Sequence, residues 1–264
     1  EDEYDALILQ AKEGLPLDTA ALQDLISKVP TRSTADFYIS RLLRISLMTN
    51  GAIDSLYMPI LDTIPLWLEE GETLRSYWSE NHWAMWNASN WLLHEYYNRP
   101  IDNQLENRLR HYLRVKVEYG FYEFFSPVYM PYCLAGLLNL ADFAQDTEIR
   151  TLATKASKRL LQDLLLVANE EGVFYPSAGR SLYQRYTEPY GHNLSAAVYL
   201  LTGNGPVPDE PTLMGSFVST TGLNLDTIIQ NYTNVVDTVI YQGHPLDSNM
   251  AINGTLGYHD RVLF

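Results

Sequence analysis

An amide and an imidazole stand next to each other at Asn81 and His82, directly after Ser79 and Glu80. Both side chains can donate a hydrogen bond to an anion without carrying a charge themselves. Ser79 is a favourable N-cap residue and Glu80 suits the positive first turn of a helix. We therefore expect Asn81 and His82 to lie in that first turn, where free backbone N–H groups favour a bound anion.

The helix that follows, up to Tyr97, has no purely polar face. A helix with apolar and aromatic side chains on every side is normally buried. Polar residues occur among these side chains, and buried polar groups need partners. We expect this helix either to belong to a polar network or to line a wet cleft. Trp83 or Trp86 is the candidate surface on which a sugar ring stacks.

Two connections contain further candidate residues. Residues 121–131 are unusually aromatic for a loop, and loops are normally polar and exposed. This connection is therefore predicted to be packed or to line a pocket, which makes Tyr122, Glu123 and Tyr129 candidates for substrate contact. A second loop, residues 175–183, contains the isolated Arg180 and Tyr183.

Composition argues against several classes of function. The net charge is −14, from 18 basic and 32 acidic residues. This argues against nucleic acid as a partner, because there is no basic stripe to neutralise phosphates, and against an anionic membrane surface. No apolar run reaches the roughly 18 residues that span a bilayer. The single cysteine, Cys133, excludes an internal disulfide and a cysteine-rich metal site, and we expect no metal or cofactor.

Helical periodicity and cap residues predict an all-α protein of antiparallel helix pairs, which form part of an α/α toroid or an α-solenoid. Residues 1–202 are predicted to be the helical domain. Residues 203–264, rich in Gly, Pro, Thr, Ser and Asn, are predicted to be a mostly irregular segment packed on it, with residues 228–240 ambiguous between strand and helix. The predicted helices are residues 3–12, 18–29, 34–48, 54–68 (interrupted by Pro59 and Pro65), 80–97, 104–119, 132–143, 147–168 and 193–201.

Three segments in this order carry a family resemblance: Ser79-Glu80-Asn81-His82, Gly120-Phe121-x-Glu123-x-x-Ser126-x-x-Tyr129 and Gly179-Arg180-x-x-Tyr183. They resemble the α/α-toroid polysaccharide lyases of the alginate lyase and heparinase-like kind, and related bacterial toroid proteins without assigned activity. The resemblance covers about residues 35–200. In those lyases an Asn and a His neutralise a uronate carboxylate, and a Tyr serves as base and acid. The resemblance therefore implies catalytic roles for Asn81, His82 and Tyr129, with Arg180 assisting.

The chemistry of β-elimination suits these residue types independently. Removing the proton next to a uronate carboxylate builds negative charge on that carboxylate, where preorganised donors contribute several kcal/mol. A tyrosine ionises at about pH 10 in water, so a tyrosine base needs a nearby cation, for which Arg180 is the candidate. Tyr122, Tyr132 and Tyr183 are alternatives to Tyr129 as the base.

Two other functions are consistent with the sequence. In an α/α-toroid glycoside hydrolase, Glu80 and Glu123 would be the pair of carboxyls that flanks the glycosidic bond. In a non-catalytic glycan-binding or scaffold protein, Trp83, Trp86 and Tyr129 would only stack on sugars. In each case the expected partner is a polysaccharide or oligosaccharide, and we expect an extracytoplasmic or secreted protein.

Overall fold

The computed structural model describes residues 2–64, 79–101, 104–121, 126–168 and 193–233. Within these ranges the chain is all-α, as predicted, and contains eleven helices and no strand. No helix in these ranges is both long and apolar enough to cross a membrane. The helices are α1 (Asp2–Glu13), α2 (Thr19–Thr31), α3 (Ala35–Met48), α4 (Asp54–Leu61), α5 (Glu80–Tyr97), α6 (Leu105–Tyr119), α7 (Met130–Phe143), α8 (Thr147–Val167), α9 (Asn193–Thr202), α10 (Leu213–Thr220) and α11 (Asp226–Thr233).

Cap and turn residues set several helix boundaries where the sequence predicts them. Asp18 and Asp146 accept hydrogen bonds from backbone N–H groups in the first turns of α2 and α8, at 2.8 Å and 2.9 Å. Asn98 and Gly120 follow the last residues of α5 and α6 with positive φ angles of 57° and 79°. Such angles are typical of helix C-termini, where Asn and Gly adopt them at low cost.

Three helices, α3, α5 and α7, pack against one another at the centre of the described structure. At the crossing of α5 and α7, a Cβ atom on Gly136 would lie 2.8 Å from the backbone oxygen of Ala84, so only glycine permits this approach. Around these three, α2 packs on α3, α6 packs on α5 and α8, and α8 packs on α7. The central helices are therefore covered by helices that follow or precede them in the chain.

The first turns of the three central helices lie together. Phe37, His82 and Tyr132 are each the third residue of their helix. The ring of Phe37 stacks on that of His82 with centroids 5.1 Å apart, and on that of Tyr132 with centroids 3.8 Å apart. Because α3, α5 and α7 also pack along their lengths, all three begin at the same end of the structure.

The segment after Thr202 contains two helices that the sequence analysis did not predict. Within its described part, residues 213–220 and 226–233 are helical, and α10 is largely buried against α1, α7 and α9. Gly, Ser and Thr in α10 have low helix propensity, so tertiary burial outweighs local preference here. The ambiguous stretch 228–240 is helical up to Thr233, and the remainder of the segment lies outside the described residues.

Helix α3 buries two arginines among the central helices. Arg41 donates from Nε to Asp5 of α1 at 2.7 Å, and Arg44 donates from Nη2 to Asp142 of α7 at 2.9 Å. Arg44 also donates from Nε to the hydroxyl of Thr220 on α10 at 2.9 Å. Burial lowers the pKa of Arg44, and the Asp142 carboxylate opposes this effect. These ion pairs connect α3 to helices that are distant in sequence.

Replacing Arg44 by alanine should destabilise the fold strongly. The Asp142 carboxylate, which is only 8 % exposed, would lose its counter-ion. We expect the free energy of unfolding to fall by about 3–5 kcal/mol. Arg114→Ala is the matched control, since Arg114 is 60 % exposed where it pairs with Glu148. That control should change stability by no more than about 1 kcal/mol. Equal effects of the two substitutions on denaturant unfolding would contradict the role of the buried pair.

Candidate functional site

Asn81 and His82 lie in the first turn of α5. Ser79 has the extended backbone of an N-cap residue, but its side chain does not cap the helix. Its hydroxyl donates instead to Oδ1 of Asn81 at 2.5 Å. The amide oxygen of Asn81 therefore accepts from Ser79, and Nδ2 is the donor atom of this amide. Both Ser79 and Asn81 are fully buried.

His82 is paired with an acidic residue of α3. Its Nδ1 lies 2.6 Å from Oδ2 of Asp36, which is fully buried, while His82 is 3 % exposed. Burial raises the pKa of the Asp36 carboxyl, and the imidazole beside it opposes that rise. Within the described ranges, the hydrogen-bond partner of this imidazole is Asp36, which contacts Nδ1. No described group is hydrogen-bonded to Nε2.

Aromatic stacking fixes the plane of the His82 ring. The ring planes of Phe37 and His82 differ by 12°, and those of Phe37 and Tyr132 differ by 15°. Phe37 therefore links the imidazole of α5 to a tyrosine of α7. The guanidinium of Arg41 lies 5.8 Å from the centroid of the Tyr132 ring, which places a cation at this stack of rings.

Tyr129 immediately precedes α7, so it belongs to the same end of the structure as His82. Its backbone N–H donates to the hydroxyl of Ser126 at 3.1 Å, and its side chain is half-buried. Tyr132, one turn later, is 8 % exposed. Of these two candidate bases, Tyr129 therefore has more surface available to a ligand.

The two tryptophans predicted to stack on sugars differ in exposure. Trp86 is 1 % exposed and packs in the hydrophobic core, so its indole offers no face to a sugar ring. Trp83 is partly buried and keeps some accessible surface. Trp83 is therefore the better placed of the two for stacking.

Glu80 forms a buried ion pair with Lys116 of α6. The two side chains are 3 % and 2 % exposed, and the Lys116 ammonium lies 5.2 Å from the centroid of the Tyr112 ring. A carboxylate held against a buried ammonium is a hydrogen-bond acceptor and does not readily serve as a proton donor. This pairing gives Glu80 a structural role at the junction of α5 and α6.

Four of the predicted site residues lie outside the described residues: Arg180, Tyr122, Glu123 and Tyr183.

Within the described ranges, no group of three His, Cys, Asp or Glu side chains could hold a metal ion.

A groove of about 410 Å³ lies elsewhere, against α9 and α10. It is lined largely by apolar residues, including the exposed Leu200 and Val207. None of the predicted site residues lines it.

The sequence analysis missed Asp36 and Phe37, the α3 residues that contact His82. The available signal was an acidic residue in the first turn of α3, next to apolar positions of the helix face predicted to be buried. An acid in a first turn is usually explained by the helix dipole alone, so this signal does not identify a partner.

Comparison of the chain with protein-family models, with curated proteins and with solved structures finds no match.

Replacing Glu80 by glutamine should destabilise the protein by about 3–5 kcal/mol, because it removes the buried carboxylate that is paired with the Lys116 ammonium. The double variant Glu80→Gln with Lys116→Met should recover most of this loss, since both charges are then removed. Denaturant unfolding measures the three stabilities. If Glu80→Gln alone is as stable as the parent protein, Glu80 is not committed to the ion pair and remains available for acid catalysis.

Proposed function

We propose that this chain is a carbohydrate-active protein that acts like a polysaccharide lyase on a uronate-containing glycan. The observation that carries the proposal is the meeting of three helix N-termini beside Asn81 and His82. Helix N-termini have unsatisfied N–H groups and a partial positive charge, which favour a bound carboxylate. The amide of Asn81 and the imidazole of His82, both in the first turn of α5, are suitable hydrogen-bond donors to that carboxylate.

We also propose that the helices form part of an α/α toroid. In this arrangement α3, α5 and α7 are inner helices, and α2, α6 and α8 are the outer helices that alternate with them. The packing of α6 on α5 and α8, and of α8 on α7, supports this assignment. The first turns of the inner helices would then line one cavity, which is where a substrate would bind.

In the proposed reaction, a base removes the proton at C5 of the uronate residue. The electron pair of that C–H bond forms the C4–C5 double bond, the C4–O glycosidic bond breaks, and the leaving oxygen takes a proton. Asn81 and His82, which are buried in the free protein and must be uncovered by a local opening, hold the carboxylate and stabilise the charge that develops on it. Tyr129 moves the proton, and Arg180 assists its ionisation. Trp83 provides the surface on which a sugar ring stacks.

Glycoside hydrolysis through Glu80 and Glu123 receives less support. It needs one carboxyl that is protonated and able to donate to the leaving oxygen. The Glu80 carboxyl is instead paired with the buried ammonium of Lys116, a contact that does not favour a proton on this carboxyl. The lyase proposal requires no such proton from Glu80.

The proposal is tested by incubating the protein with alginate, polygalacturonate, heparan sulfate and hyaluronan. Eliminative cleavage creates an unsaturated uronate that absorbs in the near ultraviolet, whereas hydrolysis only adds reducing ends. On the polymer that is cleaved, His82→Gln and Asn81→Ala should each lower kcat by on the order of 10²–10³-fold, because each removes a donor to the developing charge.

His94→Gln is the matched control, because His94 lies on the same helix with Nδ1 2.8 Å from the backbone oxygen of Arg99. It should leave the rate of cleavage unchanged. Reducing ends without ultraviolet absorbance would favour the hydrolase. Binding of a polymer without either product would favour a glycan-binding protein, and both outcomes would reject the lyase proposal.

A further inference from the structure

We infer that Asp36 is a positioning residue for His82, which holds the proton on Nδ1 and so presents Nε2 as the ring atom that meets the substrate. The contact itself is independent of the proposed function, but its consequence for catalysis rests on that function. The inference concerns a residue that none of the three family-like segments contains.

Two consecutive residues of α3 restrain the imidazole in complementary ways. Asp36 contacts Nδ1 at the edge of the ring, at 2.6 Å, and Phe37 stacks on the face of the same ring. A rotation of the ring by half a turn would break the contact with Asp36 and place a C–H group against the carboxylate. The orientation of Nε2 is therefore determined by the first turn of α3.

The charged residues near Asp36 and His82 are paired with other groups. Arg41, the nearest cation in α3, is paired with Asp5. Glu80, two residues before His82, is paired with Lys116. A buried carboxylate needs a donor, and His82 supplies it. Burial raises the pKa of the Asp36 carboxyl, and the imidazole opposes that rise. In the inferred arrangement, Asp36 is the ionised acceptor and the shared proton lies on Nδ1.

This arrangement has a direct chemical consequence. A free imidazole interconverts between two neutral tautomers, and only one of them leaves Nε2 without a proton. Asp36 selects that tautomer, so donation of a hydrogen bond from Nε2 to a substrate carboxylate requires one further proton on the ring, which comes from solvent. The carboxylate of Asp36 balances the positive charge that the ring acquires.

The test is a nitrogen NMR spectrum of the protein labelled with ¹⁵N at its histidines, with the His82 signals assigned by their loss in His82→Gln. For the free protein, we expect a proton attached to Nδ1 and none attached to Nε2. Asp36→Asn should shift the tautomer population and lower kcat on a cleaved uronate polymer by on the order of 10²-fold or more, as loss of the acid does in other Asp–His pairs. Asp62→Asn is the control, because the Asp62 carboxylate is 66 % exposed. It should change neither the tautomer population of His82 nor kcat.

The wild-type spectrum decides the inference even if Asp36→Asn fails to fold. A proton on Nε2 with an unprotonated Nδ1 would overturn it, whether or not the protein cleaves a polymer. A proton on Nδ1 in a protein that cleaves none of the uronate polymers would support the positioning role and reject the lyase proposal. The two proposals can therefore fail separately.

Discussion

Every charged side chain that is buried on α3 has a polar or charged partner on another helix, and this requirement determines how the helices are arranged. Asp36, Arg41 and Arg44 are all fully buried, and their partners lie on α5, α1 and α7 respectively. A buried charge without its partner costs several kcal/mol, whereas apolar packing tolerates many alternative registers. The two ion pairs of the arginines and the Asp36–His82 contact therefore define which helices surround α3 and in which orientation.

The same requirement builds the candidate site. Asp36 lies at the beginning of α3 and its partner His82 lies at the beginning of α5, so the contact between the two side chains brings two helix N-termini together. Phe37 extends this contact to the first turn of α7 through Tyr132. One buried acid thus aligns the helix ends and restrains the imidazole that we propose to bind a uronate carboxylate. The structural and functional roles of Asp36 are two consequences of one contact.

The sequence predicted those features that depend on neighbouring residues. Helix ends at Asp18, Asn98 and Gly120 follow from local capping and turn chemistry, so their positions agreed with the prediction. Helix α10 was not predicted, because its Gly, Ser and Thr residues become helical only through burial against other helices. The partner of His82 was not predicted either, because Asp36 lies 46 positions earlier and no local pattern encodes a long-range ion pair.

The central claim is that the N-terminal ends of α3, α5 and α7 bind the carboxylate of a uronate sugar. A crystal structure of the protein with a short uronate oligosaccharide tests this claim most directly. The account predicts one substrate carboxylate within hydrogen-bond distance of Nδ2 of Asn81 and Nε2 of His82, with Asp36 still bonded to Nδ1. An oligosaccharide bound only in the groove against α9 and α10, with Asn81 and His82 still enclosed, would contradict it.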